Sequence, residues 1–506
     1  MKQGFRQSMA WLHTWAGLVT GWVMFAVFVT GTATYYKTDI SLWMRPELRA
    51  EAEYDVVRAA ELGVAHLKVH APKAMAWFIG MPQADNPLIG AYWMDTPDGE
   101  IGKALLDPAT GAPTVARATK GGDFFYRFHY ELQMPPAVGR WIVGLCAMTL
   151  LIALISGIVT HRRIFADFFT FRRSKSAQRG WLDAHNVTGV LALPFHLMIT
   201  YTGIVSLSLM YMPWGMVSVY KGDELRFYAE SGQMTTWRAA EGKPAEPAPL
   251  GPLIRRAQAE VSEPLEMVSI NNPGDANATV VAVFEEPHGL AHRHPQIAFN
   301  AVTGEIVERT GPLKPAAHAY TSFVGLHEAH FAGPALRILF FLSGLMGCIA
   351  IASGLVLWTV ARAPKGMVRP AFGWRLVHAL NIGTILGLPV GMASFFLANR
   401  LIPVDLAARD SWEGAIFFGS WLAAALIPLA RPHRQAWREM AYAAALLFLA
   451  VPLVGWATTG WRTDFLGFDA AMAALALVFV LGARKVGRYE GPRREAARAT
   501  GDLARA

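Results

Sequence analysis

Histidines at the ends of apolar segments are the residues whose type and spacing best suit chemistry in this sequence. The chain has 15 histidines, and a polar group inside a membrane is costly enough to mark a functional position. A single such histidine is more often a hydrogen-bonded interface residue, so the set carries more weight than any member. Six lie within or at the ends of long apolar segments: His13, His161, His185, His196, His327 and His378.

His185 and His196 are eleven residues apart in one apolar segment. Eleven steps of about 100° come within about 20° of three full turns, so we expect both imidazoles on one face of a single helix. Their separation along the helix axis would be about 16.5 Å. Imidazoles at two depths suit two haem groups, each of which takes a second axial histidine from another helix. We therefore predict two haem b groups.

The depth of the other histidines predicts the partners of this pair. His13 and His161 lie near the same end of their segments as His185, so either could complete an inner haem. His327 lies at the depth of His196 and is expected at an outer haem. Three further histidines are rival iron ligands: His129, His330 and His378.

Glycines follow these histidines at one or two helical turns, which would leave room for a flat macrocycle. Ordinary small-residue packing in membranes explains them equally well. They are Gly17, Gly21, Gly189 and Gly203.

The remaining histidines are weaker signals. Three of them, in the sequence EEPHGLAHRHPQ, could contact iron or a ligand outside the membrane, although a polar loop is the simpler interpretation. His66 and His70 could bind a metal but are more simply a solvated helix face. The three in the loop are His288, His292 and His294.

Composition identifies the chain as a membrane protein. Of 506 residues, 53% are hydrophobic and 17% are charged, with a mean hydropathy of +0.28, whereas soluble domains have about 25% charged residues. The two cysteines lie in apolar runs, which indicates packing residues. Apolar stretches long enough to cross a bilayer occur near 11–34, 139–160, 186–212, 336–360, 376–398, 412–430, 439–458 and 468–483.

The net charge of +8 follows from topology. Basic residues concentrate at the N-terminus, in alternate loops and in the tail, and basic loops stay in the cytoplasm. Eight spans therefore predict cytoplasmic termini, and nucleic acid is excluded as a partner. The basic loop residues are Lys2, Arg6, Arg162, Arg163, Arg172, Arg173, Lys175, Arg179, Arg362, Lys365, Arg369, Arg375, Arg431, Arg434 and Arg438, and the tail adds Arg484, Lys485, Arg488, Arg493, Arg494, Arg498 and Arg505.

The two long outer segments form a weak repeat. KALLDPATGAPTVA at Lys103 and QIAFNAVTGEIVER at Gln296 each predict two strands joined by a turn. A helix is expected before each hairpin, over Val56–His70 and Leu250–Val261. Each outer segment is therefore predicted to hold a small α+β module.

The sequence contains none of the common catalytic motifs of soluble enzymes. We find no dinucleotide-binding glycine motif, no Walker A motif, no HExxH and no GxSxG, so no flavin or nicotinamide site is expected in this chain. An electron donor would be a quinol or a separate cytoplasmic reductase.

Four histidine-bearing stretches resemble the PepSY-associated transmembrane helix proteins, an iron-regulated inner-membrane group that includes bacterial siderophore reductases. The resemblance covers about the first 360 residues and implies His13, His161, His185, His196 and His327 as family-pattern histidines. The chain departs from that pattern in four added spans with few polar groups beyond His378 and Asn381. The stretches are LHTWAGLVTGWVMFAVFVTG at Leu12, GIVTHRRIFADFFTFR at Gly157, WLDAHNVTGVLALPFHLMITYTG at Trp181 and GLHEAHFAGPALRILFFLSGLMGCIAIASGLVLW at Gly325.

The expected fold is an all-α membrane bundle of about eight transmembrane helices with two small α+β PepSY-like periplasmic modules. The expected divisions are a first span (1–36), module 1 (37–138), spans two and three (139–212) with a basic cytoplasmic loop (161–184), module 2 (213–335), span four (336–361), a four-span extension (374–484) and a basic tail (485–506). The extension could dock a partner, form a quinol pocket or complete the bundle.

The expected function is electron transfer across the bacterial inner membrane. The resemblance implies a ferric-siderophore reductase that passes electrons through two haem groups and releases ferrous iron in the periplasm for uptake. Two alternatives have no redox role: a membrane-anchored PepSY module that binds a partner, and a transporter for the siderophore or metal. The lack of paired charges within the spans counts against the transporter.

Overall fold

The computed structural model of the protein describes residues 4–48, 54–84, 86–96, 101–114, 116–161, 176–363 and 370–488. Most of the predicted basic loops, including Arg162, Arg163, Arg172, Arg173, Lys175, Lys365 and Arg369, lie outside the described residues, as do Lys2 and the tail from residue 489.

Helices long and apolar enough to cross a membrane make up nearly half of the described residues. Seven meet these criteria within the described residues, and a bent pair counts as an eighth span if its halves are taken together. The prediction of a multi-pass helical membrane protein with about eight spans is confirmed. The seven are Phe5–Thr34, Pro136–Thr160, Pro334–Ala361, Phe372–Leu401, Arg409–Ala430, His433–Thr459 and Thr463–Val486, and the pair is Ala177–Leu191 with Leu193–Ser206.

The described α-helices, in chain order, are α1 (Phe5–Thr34), α2 (Lys37–Met44), α3 (Val56–His70), α4 (Asp123–Glu131), α5 (Pro136–Thr160), α6 (Ala177–Leu191), α7 (Leu193–Ser206), α8 (Ser208–Tyr211), α9 (Trp214–Tyr220), α10 (Glu224–Glu230), α11 (Leu250–Glu260), α12 (Pro315–Glu328), α13 (Pro334–Ala361), α14 (Phe372–Ile385), α15 (Gly387–Leu401), α16 (Arg409–Ala430), α17 (His433–Thr459) and α18 (Leu466–Arg488). They belong to two compact units. The helical unit comprises Met1–Met44, Ala118–His196 and Phe341–Ala506, and the sheet unit comprises Arg45–Arg117 and Leu197–Phe340.

The third predicted span is sharply bent. Helices α6 and α7 meet at an angle of 68°, where Pro194 follows Leu193 in the first turn of α7. Proline has no backbone N–H, and its ring clashes with the carbonyl four residues earlier. The expectation that His185 and His196 lie on one face of a straight helix is therefore wrong, because the bend falls between them.

A single seven-stranded antiparallel sheet holds the strands of both predicted modules. Its order is β3-β2-β1-β4-β5-β6-β7, so the two modules join where β1 pairs with β4. This pairing satisfies an edge of each module that would otherwise expose unpaired backbone groups. The strands are β1 (Ala76–Gly80), β2 (Ile89–Met94), β3 (Ile101–Leu106), β4 (Leu265–Asn271), β5 (Thr279–Phe284), β6 (Gln296–Asn300) and β7 (Ile306–Arg309).

The predicted elements of the modules are largely present. Helix α3 has the predicted bounds, α11 ends one residue before the predicted Val261, and the hairpin from Gln296 forms as β6 and β7. The hairpin from Lys103 has no second strand among the described residues, which omit residue 115. Leu106 and Pro113 form an isolated bridge, and Asp107 N–H donates to the carbonyl oxygen of Ala112 and Thr114 N–H to that of Leu105. Proline cannot donate to a strand ladder, which limits this pairing. Module 1 is also shorter than predicted, since α2 and α4 belong to the helical unit.

The core of the sheet unit lies between the sheet and its two amphipathic helices. Leu67 of α3 and Ile254 of α11 are buried with strand residues Ile79, Val268 and Phe284. The two helices therefore share one core with the strands of both modules.

The four-span extension contains more buried polar groups than the sequence analysis expected. Arg409 and Glu413 of α16 form an ion pair whose side chains are both 0% exposed. Glu413 also accepts hydrogen bonds from Asn399 Nδ2 at 2.8 Å and from Thr119 Oγ1 at 2.6 Å. This network links α15, α16 and the segment before α4 within the helical unit.

Candidate functional site

A cavity of about 630 Å³ in the helical unit brings together most of the predicted site residues. This volume falls in the usual range for ligand and cofactor pockets, about 300–1,000 Å³. Its walls come from α1, α5, α6, α13 and the start of α7. Four of the five predicted histidines line it: His13, His161, His185 and His196.

His13 and His185 are held in the same way on two different helices. The Nδ1 atom of His13 lies 2.7 Å from the carbonyl oxygen of Ala153, and that of His185 lies 2.7 Å from the carbonyl oxygen of Ala350. A carbonyl oxygen only accepts, so each Nδ1 carries the proton and donates it. Each imidazole is thereby left with the lone pair on Nε2, the arrangement that orients histidine ligands of metals.

The separation of these two rings fits a single metal ion between them. Two metal–nitrogen bonds of about 2.1 Å and two steps of about 1.1 Å from nitrogen to ring centre would place the centres about 6.4 Å apart. The centres of His13 and His185 are 6.1 Å apart, with the ring planes at 65°. The donor set therefore fits a haem iron with two axial histidines.

Each of these histidines packs against a glycine of a neighbouring helix, a feature that the sequence analysis missed. A Cβ atom on Gly157 would lie 3.1 Å from Cε1 of His13, and one on Gly354 would lie 3.1 Å from Cε1 of His185. Gly347 faces Nε2 of His196 at the same distance. The signal was available in the sequence, because Ala-x-x-Ser-Gly occurs at 153–157 and again at 350–354.

The predicted glycines have mixed surroundings. A Cβ on Gly17 or Gly189 would meet no atom within 4 Å, and both residues line the cavity, so they leave the space that a flat macrocycle needs. A Cβ on Gly21 would instead meet the Leu355 side chain at 2.8 Å.

His161 and His196 complete the histidines of the cavity. His161 follows the last residue of α5, and its buried Nδ1 has no hydrogen-bond partner within the part of the chain that the structure describes. His196 is 4% exposed, and its Nε2 lies 3.3 Å from the carbonyl oxygen of Ser343. The centre of its ring is 6.1 Å from that of Phe28, edge to face.

Basic side chains give the cavity a second property that suits haem. Arg6, Arg179 and Arg362 all line it. Arg6 Nε donates to the carbonyl oxygen of Thr160 at 3.0 Å, which places it beside the residue before His161. Haem carries two carboxylate groups, and guanidinium groups bind carboxylates well.

His327, the fifth predicted histidine, belongs to the sheet unit. Its Nδ1 lies 3.0 Å from the hydroxyl of Thr202, which itself donates to the carbonyl oxygen of Met198 at 2.8 Å. The hydroxyl therefore accepts from His327. A Cβ on Gly203 would lie 2.8 Å from Cε1 of this ring, so His327 shares the glycine contact of the cavity histidines.

Two of the rival ligands belong to the helical unit but are not among the residues that line the cavity. His129 of α4 is held by the carbonyl oxygen of Val27 at 2.8 Å. His378 of α14 accepts from the indole N–H of Trp437 at 3.3 Å, and its ring centre is 4.2 Å from that of His433.

The third rival, His330, lies in a cluster of carboxylates and histidines in the sheet unit. Its Nδ1 is 3.0 Å from Glu286 Oε2. Burial opposes ionisation of Glu286, but hydrogen bonds from His292 and His330 outweigh it and bring its pKa to about 2. The bond to Glu286 raises the pKa of His292, and a bond to Glu266 raises that of His294.

Comparison with known proteins identifies a family and a relative of this chain. Residues 10–361 match the family model described as the PepSY-associated TM region. An uncharacterized protein of Pseudomonas aeruginosa is 28% identical over 383 residues, which cover 70% of this chain and 92% of the relative. The matched range of the family model contains all four cavity histidines, and helices α14 to α18 lie beyond it.

Proposed function

This chain belongs to the PepSY-associated transmembrane region family, as its sequence predicted, and we propose that it is an electron-transfer protein that reduces a ferric chelate. The observation that carries the proposal is the convergence of His13 and His185 in one cavity, with both Nδ1 atoms bonded to backbone carbonyls. Histidines held in this way in an apolar helical unit suit metal ligation better than simple packing.

His13 and His185 would hold one haem b, and the arginines of the cavity would bind its carboxylates. When bound, haem supplies a one-electron carrier whose potential depends on its axial ligands and on burial. The carbonyl oxygens of Ala153 and Ala350 keep the two imidazoles in a single tautomer and orientation. Apolar side chains such as Leu18, Met24 and Leu355 line the rest of the cavity.

The second haem expected from the sequence would depend on His196 and on His327, with His129 as a rival ligand. His327 and His129 share the Nδ1 hydrogen bond and the glycine contact found at His13 and His185. The loss of the second haem in single alanine variants of these three residues identifies its ligands.

The proposed reaction transfers one electron to each ferric ion. The donor is a quinol or a separate cytoplasmic reductase, because the sequence contains no flavin or nicotinamide motif. The acceptor is a ferric siderophore, whose hard oxygen ligands bind the less charged ferrous ion more weakly. No covalent bond forms or breaks in the electron transfer, and ligand exchange then releases the ferrous ion.

The proposed location is the bacterial inner membrane, with both termini in the cytoplasm. The basic loops of the sequence support this orientation. It puts the seven-stranded sheet in the periplasm, where a ferric siderophore arrives.

An optical spectrum of the detergent-purified protein tests the proposal first. We expect a Soret band, sharp α and β bands after dithionite reduction, and about two haem groups per chain. The reduced protein should be reoxidised by a ferric siderophore, with ferrous iron trapped by a ferrous-specific chelator. A protein that stays colourless after expression with added haem contradicts the proposal and favours a non-redox binding module.

A matched control comes from the histidine pair on the surface of α3. His66 and His70 stack with ring centres 4.0 Å apart in the sheet unit. Their alanine variants should keep the full haem content and the full rate of reoxidation.

A further inference from the structure

Five side chains of the sheet unit form two overlapping sets of metal-ligand type. Each set has two histidines and one carboxylate whose donor atoms all lie within 4.8 Å of one another. One set comes from the segment after β5, and the other adds residues around the end of α12. The sets are Glu286, His292 and His294, and His292, Glu328 and His330.

The spacing of three donor pairs is close to that of ligands around one small ion. Two bonds of about 2.1 Å at angles of about 90–110° put their donor atoms about 3.0–3.4 Å apart. His330 Nδ1 lies 3.0 Å from Glu286 Oε2, and His294 Nε2 lies 3.6 Å from Glu286 Oε1. His292 Nδ1 lies 3.5 Å from Glu328 Oε2. His292 Nδ1 is in direct contact with Glu286 Oε1, so an ion would replace the proton that these two atoms share and move them apart.

A further carboxylate orients one of these histidines. Glu266 Oε2 of β4 lies 2.7 Å from Nδ1 of His294, the nitrogen remote from Glu286. A carboxylate on the far nitrogen of a histidine is the usual support of a metal ligand, because it fixes the ring and raises the basicity of the other nitrogen. A simple surface ion pair does not require this second carboxylate.

The backbone holds the two parts of the cluster together. The amide of His292 donates to the carbonyl oxygen of Thr321 in α12 at 3.0 Å. A Cβ on Gly325 would lie 1.9 Å from the carbonyl oxygen of Leu290, so only glycine permits this approach of loop and helix. Glu328, the last residue of α12, is thereby fixed beside the loop histidines.

We propose that Glu286, His292 and His294, with Glu328 and His330, form a binding site for a divalent first-row transition-metal ion. Two histidines and one carboxylate with open positions are the donor set of non-haem ferrous sites. Three carboxylates including Glu266 supply the negative charge that balances the ion.

The identity of the ion rests on the proposed function. Ferrous iron is the product of that reaction, and the site lies one residue along the chain from His327, an expected haem ligand. The cluster would take up the ferrous ion after its release from the chelate. Binding displaces the protons shared between histidines and carboxylates and transfers no electron.

Titration of the purified full-length protein with Co²⁺, a redox-stable probe of such sites, tests the proposal. We expect one ion per chain by calorimetry and metal analysis, and competition by Fe²⁺ under anaerobic conditions. His292→Ala removes the ligand shared by both sets and should abolish saturable binding. Glu266→Gln keeps every ligand and should weaken binding about 10–100-fold.

The control is His288→Ala, an exposed residue in the same loop that belongs to neither set. It should bind Co²⁺ as the parent protein does. Equal Co²⁺ affinity in the parent, His292→Ala and Glu266→Gln proteins, or no saturable binding in the parent, overturns the proposal. Comparison of far-UV circular dichroism spectra and size-exclusion profiles in detergent establishes that each variant is folded, with or without haem.

The site and the proposed function fail separately. A colourless protein that binds one Co²⁺ would support the metal site and contradict the reductase proposal. A haem protein without saturable Co²⁺ binding would support the reductase proposal and contradict the metal site.

Discussion

Replacement of His13 and His185, singly and together, tests whether the two rings share one iron. Their centres are 6.1 Å apart, close to the separation of about 6.4 Å for two imidazoles on one metal ion. His13→Ala and His185→Ala should therefore each lower the haem content from two groups to one per chain. The double variant should also keep one, because neighbours that act as a unit are not additive.

The assay is the reduced-minus-oxidised spectrum of the detergent-purified variants, with haem and protein quantified separately. His378→Ala is the matched control, since this histidine is outside the cavity lining and should keep both groups. His185→Gly with added free imidazole should regain the lost absorbance. Full haem content in either single variant, or loss of both groups only in the double variant, contradicts the shared site.

Two further predictions concern packing. Glu413→Ala leaves the buried guanidinium of Arg409 without its carboxylate and should lower the free energy of unfolding by about 3–5 kcal/mol. Glu439→Ala breaks an exposed ion pair and should lower it by only about 0–1 kcal/mol. Denaturant unfolding in detergent compares the two variants, and equal losses would contradict the burial argument. A Cβ atom on Gly354 would lie 3.1 Å from Cε1 of His185, so the larger side chain of Gly354→Leu should displace this ring. The variant should then contain one haem fewer by absorbance. Retention of both haem groups would show that haem binding does not depend on this glycine contact.

Local patterns predicted most of the elements. The lengths of the apolar segments gave the spans, since a bilayer sets a minimum length for a helix. The amphipathic period predicted α3 over Val56–His70, the bounds that the structure has. The union of two modules into one sheet was not predictable in this way, because the pairing of β1 with β4 joins segments almost 200 residues apart.

Two features were misjudged because sequence windows average over local detail. The eleven-residue spacing of His185 and His196 assumed a straight helix, although Pro194 lies between them and marks the bend. The extension was expected to hold few polar groups, yet Arg409 and Glu413 are buried. Their charges lie near the end of an apolar stretch, where mean hydropathy does not register them.

The sequence by itself determined that this is a multi-pass membrane protein with histidines in its spans, because hydropathy, chain length and residue type are local properties. It left open which histidines meet. Only the tertiary structure decided that His13 faces His185 and that the carbonyl oxygens of Ala153 and Ala350 hold the two rings. It likewise gathered the loop histidines and Glu328 into one cluster. Such contacts depend on how separate helices and strands pack, and neither spacing nor composition encodes that directly.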